Sequence, residues 1–169
     1  MSAETKAVAR RLLEEAFNSG TLDVGDELDI HPRDKRAVGQ RLAVLALHDA
    51  GLRKAEASGP RVEHVEVRGT ELWLRFTATA GALRTARAGE PLRGFLLAGE
   101  DRVFHPAQAR IEGHQVVLSS AAVPAPVAAR YAWVDNPSEA NLVGADGLPA
   151  APLRTDRWPL DTAGRRYTD

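Results

Sequence analysis

The feature that most constrains this chain is a change of hydrophobic period near residue 60. Up to about residue 52 the apolar side chains recur at helical spacing, whereas beyond residue 60 they alternate, so the two halves need different kinds of packing. Residues 2–18 predict an amphipathic helix in which Ser2 caps the start, Val8, Leu12, Ala16 and Phe17 share a face, and Gly20 ends it. A second helix is predicted over 32–50, with Val38, Leu42, Leu45 and Ala46 inward, Arg33, Lys35, Arg36 and Gln40 largely outward, and Gly51 as the stop. Residues 53–60, with alanines, Ser58, Gly59 and Pro60, read as a linker.

The alternating half starts with Val62 to Val67 and Glu71 to Thr77, separated by Arg68-Gly69-Thr70, which is a hairpin signal. Further strands are predicted over 93–98, 107–112, 115–119 and 126–133, with Gly113-His114 as a tight turn. Several short strands with turns between them predict an antiparallel sandwich or barrel. From residue 136 onward proline, glycine and polar residues predict irregular chain wrapped on the sandwich. The expected class is α+β: a helical segment over 1–52, a linker over 53–60, a β-sandwich over 61–157 and a tail over 158–169.

Charge and composition narrow the chemistry. Lys and Arg number 22 against 23 Asp and Glu, so no basic surface stands out and neither nucleic acid nor an anionic membrane is expected as a partner. The absence of cysteine removes disulfides, thiolate catalysis and Cys-type zinc sites. No metal-ligand spacing links His48, His64, His105 and His114, and no phosphate-cradling glycine loop is present. The first residues lack the order of a signal peptide, and no apolar run approaches the roughly 20 residues of a membrane span. The compartment is left open.

Chemistry concentrates in Asp23-Val24-Gly25-Asp26-Glu27-Leu28-Asp29-Ile30-His31-Pro32-Arg33-Asp34-Lys35. This acidic turn delivers one histidine to the start of a helix, with proline suited to the first turn. A histidine so placed can act as a general base, since its ordinary pKa of about 6.5 lets it hold or release a proton near neutrality. A nearby carboxylate would fix its tautomer and stabilise the imidazolium. A solvated histidine capping a helix gives the same pattern.

Three ordered blocks carry a resemblance. Gly25 through Leu42 resembles the histidine block of sialate O-acetylesterase-like enzymes of the SGNH hydrolase superfamily. Gly94-Phe95-Leu96-Leu97-Ala98-Gly99-Glu100-Asp101 follows in order, and Tyr131-Ala132-Trp133-Val134-Asp135-Asn136-Pro137, Asn141-Leu142, Gly147-Leu148-Pro149-Ala150 and Arg154-Thr155-Asp156 resemble the end of that family's C-terminal β-domain. The resemblance implies a short helical remnant of an SGNH domain followed by an antiparallel β-sandwich, and removal of O-acetyl groups from sugars. It implies that His31 is the base and Asp29 the carboxylate that orients it. The superfamily pattern puts aspartate three residues before the histidine, where this chain has Leu28.

The nucleophilic serine of the family stands in a block near the front of its catalytic domain. Ser2 and Ser19 precede His31 here, but neither lies in such a block, and Ser58, Ser119, Ser120 and Ser138 fall in the linker or β-region. The expectation is therefore a C-terminal part of a carbohydrate esterase that holds the base without the nucleophile and needs no cofactor. A partner chain supplying the SGNH portion, a homodimer, or a non-catalytic β-sandwich that binds carbohydrate or protein are the alternatives. Among the aromatic residues, Trp158 lies outside the strands and is the expected exposed sugar contact. Tyr131 and Trp133 share a strand face with Val127 and Ala129 and are expected in the core, while Arg84, Arg87 and Arg93 read as solvated charge.

Overall fold

A computed structural model describes residues 23–25, 33–52, 58–77, 81–134 and 136–160. One helix, α1 (Lys35–Asp49), and ten strands occur among them. The helix begins two to three residues after the predicted start because Asp34, not an earlier residue, is its cap: the Asp34 side chain accepts from the Ala37 N–H at 2.9 Å. Its end matches the expectation, with Gly51 left-handed at φ 70°. Leu45 is 3% exposed and packs with Leu42 and Val44.

The strands are β1 (Val62–Arg68), β2 (Glu71–Phe76), β3 (Arg84–Thr85), β4 (Phe95–Ala98), β5 (Phe104–Pro106), β6 (Gln108–Glu112), β7 (Gln115–Ser119), β8 (Ala128–Tyr131), β9 (Leu142–Val143) and β10 (Leu153–Arg154). They form one four-stranded sheet in the order β1-β2-β7-β6, a second in the order β10-β8-β4-β5, and a small pair, β3-β9. Every pairing is antiparallel. The β1-β2 and β6-β7 hairpins fall where the turn residues predicted them. An α+β description with antiparallel sheets therefore holds for the described residues.

Alternation explains the core. Leu72, Leu74 and Phe76 from β2 and Val116 and Leu118 from β7 meet Phe95 and Leu97 from β4 and Ala129 and Tyr131 from β8, so the inward rows of both four-stranded sheets fill one interior. The Phe95 and Tyr131 rings lie 4.5 Å apart at their centres, and the buried Tyr131 hydroxyl accepts from the Leu142 N–H at 2.8 Å. That bond ties the small β3-β9 pair to the main core. Burial pushes the Tyr131 hydroxyl pKa up, against the lowering effect of that bond. Gly94 permits the close approach beneath Tyr131: a side chain there would meet Ala140 Cα at 2.9 Å, and its φ of 89° favours glycine.

The sandwich starts earlier than the linker reading implies. Gly59 and Pro60 are buried, and a Cβ on Gly59 would overlap the Pro149 carbonyl. At the start of β1, register slips between Val62 and His64, a bulge that sets Val62 opposite Phe76 while Val65 and Val67 oppose Leu74 and Leu72. The slip brings three valines onto the face shared with the core. Val65 and Val67 nevertheless stay 37% and 50% exposed.

Candidate functional site

Two aspartates that flank the histidine block in sequence bond to α1. Ahead of it, Asp23 accepts from Arg41 through both oxygens, at 2.6 and 2.8 Å, a bidentate pairing that fixes direction as well as distance. Behind it, Asp34 caps the same helix. Asp29 and His31 themselves lie outside the described residues.

A second cluster sits where the last described segment joins the sandwich. Thr155 zips onto β8, donating its N–H to the Ala129 carbonyl at 3.0 Å and accepting from the Ala129 N–H at 2.9 Å. This places Asp156 between two arginines, with its side chain 1% exposed. Arg130 donates to both its oxygens at 2.9 and 3.2 Å, and Arg154 also donates to it and to its backbone carbonyl. Burial disfavours the charge on Asp156, but the bonds from Arg130 and Arg154 outweigh it and hold the carboxyl below the usual carboxylate range. Such a carboxylate, ionised and with its oxygens occupied, serves as a clamp and is a poor proton acceptor.

Aromatic rings continue the cluster. The Arg130 guanidinium lies 4.0 Å from the Phe104 ring centre, and Trp158 stands edge-on to Phe104 at 5.7 Å with Arg102 at 5.5 Å from its ring. Trp158 is half-buried, its N–H donating to Asp156 and its carbonyl accepting from Arg154. On the other side of the clamp, Arg154 lies 5.6 Å from the ring of Trp133.

Trp133 corrects the expectation of a core position. Strand β8 stops at Tyr131, and Ala132 is left-handed at φ 51°, so alternation breaks before Trp133, which is 37% exposed. Val127, on the expected inner row, is also exposed. Trp133 instead lines a cleft of about 780 Å³ with Val65, Val127, Pro152, Leu153 and Arg154. No signal in the sequence marks the turn at Ala132, because alanine rarely adopts that conformation. The Asp156 clamp was legible only as the Arg154-Thr155-Asp156 string, since its other partner is 26 residues away.

Arg84, Arg87 and Arg93 are exposed as expected. Among the described residues no cluster of three or more His, Asp or Glu could hold a metal ion, and no helix is long and apolar enough to cross a membrane.

The chain matches no family model and no curated protein. Among solved structures it is similar to a carbohydrate acetylesterase from Xanthomonas citri, at 45% sequence identity and a TM-score of 0.77. The match covers 80% of this chain and 31% of that one. The resemblance read from the ordered residue blocks is thereby borne out at the level of a carbohydrate acetylesterase.

Proposed function

We propose that this chain is the C-terminal portion of a carbohydrate O-acetylesterase of the sialate O-acetylesterase type, contributing the catalytic base and an accessory β-sandwich. The observation that carries the reading is 45% identity, over 80% of this chain, to less than a third of an acetylesterase. In the proposed mechanism His31, oriented by Asp29, accepts the proton of a serine hydroxyl as that oxygen attacks the acetyl carbonyl. The histidine then returns the proton to the departing sugar oxygen, and water, activated by the same base, releases acetate. Trp158 is carried as a sugar contact.

The serine belongs to the part of the enzyme that corresponds to the SGNH front, whether encoded with this portion or as a partner chain. Without that nucleophile and its oxyanion donors, a base alone leaves only background catalysis. The purified 169-residue chain is therefore expected to release no acetate above background from O-acetylated sialic acid or an acetylated oligosaccharide, as measured by acetate release with His31→Ala as the reference. Hydrolysis that disappears in His31→Ala would overturn the division of labour, because the chain would then hold its own nucleophile.

A further inference from the structure

Of the three tryptophans, one is turned out of its strand at an energetic cost. Ala132 sits at φ 51° without being glycine, a conformation that residues with a Cβ rarely adopt. It is held there by donation from its N–H to the Gly94 carbonyl at 3.0 Å. The outcome is that Trp133 leaves the core row and lies at the rim of the sandwich. The turn keeps Ala132 in the core at 7% exposure and leaves Trp133 37% exposed.

The surroundings of Trp133 define what it can hold. Val65, Val127, Pro152 and Leu153 give the cleft apolar walls, while a second hollow of about 400 Å³ opens on its other side, near Asn136 and Glu139. The Arg154 guanidinium is the polar group over the ring, 5.6 Å from its centre. Its Nε and Nη2 are bound to Asp156 and to the Trp158 carbonyl, so the guanidinium is immobilised before any ligand arrives. Nη1 makes no hydrogen bond among the described residues. A rigid aromatic face beside a rigid donor is complementary to a pyranose, which has an apolar C–H face and oxygen acceptors around its edge. Little conformational entropy remains to be lost on binding.

The other two tryptophans lack this combination. Trp73 stands on the outer face of its sheet, opposite the buried Leu72 and Leu74, with Arg68 4.3 Å from its ring centre and its N–H donated to Glu71. Trp158 is packed edge-on against Phe104.

We infer that Trp133 and Arg154 form a saccharide subsite on the β-sandwich, in which a sugar ring stacks on the indole and a hydroxyl or acetyl oxygen accepts from Arg154 Nη1. The choice of a saccharide rests on the esterase reading above.

The test uses the full chain, titrated with partially O-acetylated cello-oligosaccharide and with O-acetylated sialic acid, followed by tryptophan fluorescence and calorimetry. At least one probe is expected to bind, and Trp133→Ala is expected to weaken it about tenfold, roughly the value of one aromatic stacking contact. Trp133→Phe should recover part of the loss, Trp73→Ala should bind as the parent does, and all variants should keep the parent's melting temperature. Absence of binding up to about 20 mM, a range that would register even weak sugar contacts, overturns the inference. So does unchanged binding by Trp133→Ala, or self-association through the cleft with no response to sugar. Sugar binding without any acetylesterase activity on pairing with a serine-bearing SGNH portion would leave the subsite and remove the esterase reading. Activity with no sugar binding at Trp133 would do the reverse.

Discussion

The helical front and the β-sandwich differ in how much of their order they generate themselves. In the described part of the front, one leucine, Leu45, is buried, with Leu42 and Val44 against it. The sandwich buries fifteen residues in one cluster drawn from both four-stranded sheets and the β3-β9 pair. A lone amphipathic helix gains most of its stability from what its apolar face meets, whereas the sandwich closes on itself. Stability is thus unevenly divided: the sandwich carries its own core, and α1 depends on its caps and on the pairing of Arg41 with Asp23.

The contrast breaks most severely if the sandwich's own clamp is opened. Asp156→Asn should destabilise the sandwich by about 3 kcal/mol, because two largely buried arginines lose their counter-charge, and this is read as a lower urea midpoint by strand circular dichroism. Linkage gives the sign of the pH dependence. The folded carboxyl titrates below its unfolded value of about 3.9, so its contribution is fully present above that pH and is lost as pH falls through the lowered folded value. The gap between parent and Asp156→Asn should therefore hold steady at neutral pH and narrow below about pH 4.

A smaller loss is expected from Tyr131→Phe, which keeps the ring packing but leaves the Leu142 N–H without its acceptor. Removing one partner of a buried hydrogen bond costs about 1 to 3 kcal/mol, and amide exchange at Leu142 should quicken more than at β2. Smallest is Asp34→Ala, expected to cost about 1 kcal/mol of helix stability. Its effect should be confined to exchange of amides in the first turn of α1, with sandwich melting unchanged. Equal loss in both regions would show that they fold as one unit and remove the contrast.

How much of this was legible in the sequence follows from the range of each interaction. The hairpins joining β1 to β2 and β6 to β7 were readable because alternation and turn residues lie within a few positions of each other. Strands β3, β9 and β10 have two residues each, too short to display a period. The bulge between Val62 and His64 and the left-handed Ala132 are backbone choices imposed by tertiary contacts, so the strand face assigned to Trp133 extended one step too far. For the candidate site, the Arg154-Thr155-Asp156 string was visible, but its pairing with Arg130 was not. The assignments of His31 and Asp29 come from the resemblance, and those residues lie outside the described part of the structure.

The bulge in β1 has a colloidal consequence. An edge strand with three valines on one face is a template for sheet-to-sheet stacking between molecules, and flat edges propagate such stacking most readily. One surplus residue at Glu63 twists this edge, and the exposed Glu63, Glu66 and Arg68 decorate it with charge. Shortening β1 by that residue would flatten the edge and leave the three valines in one unbroken alternating row, the arrangement that favours stacking between molecules.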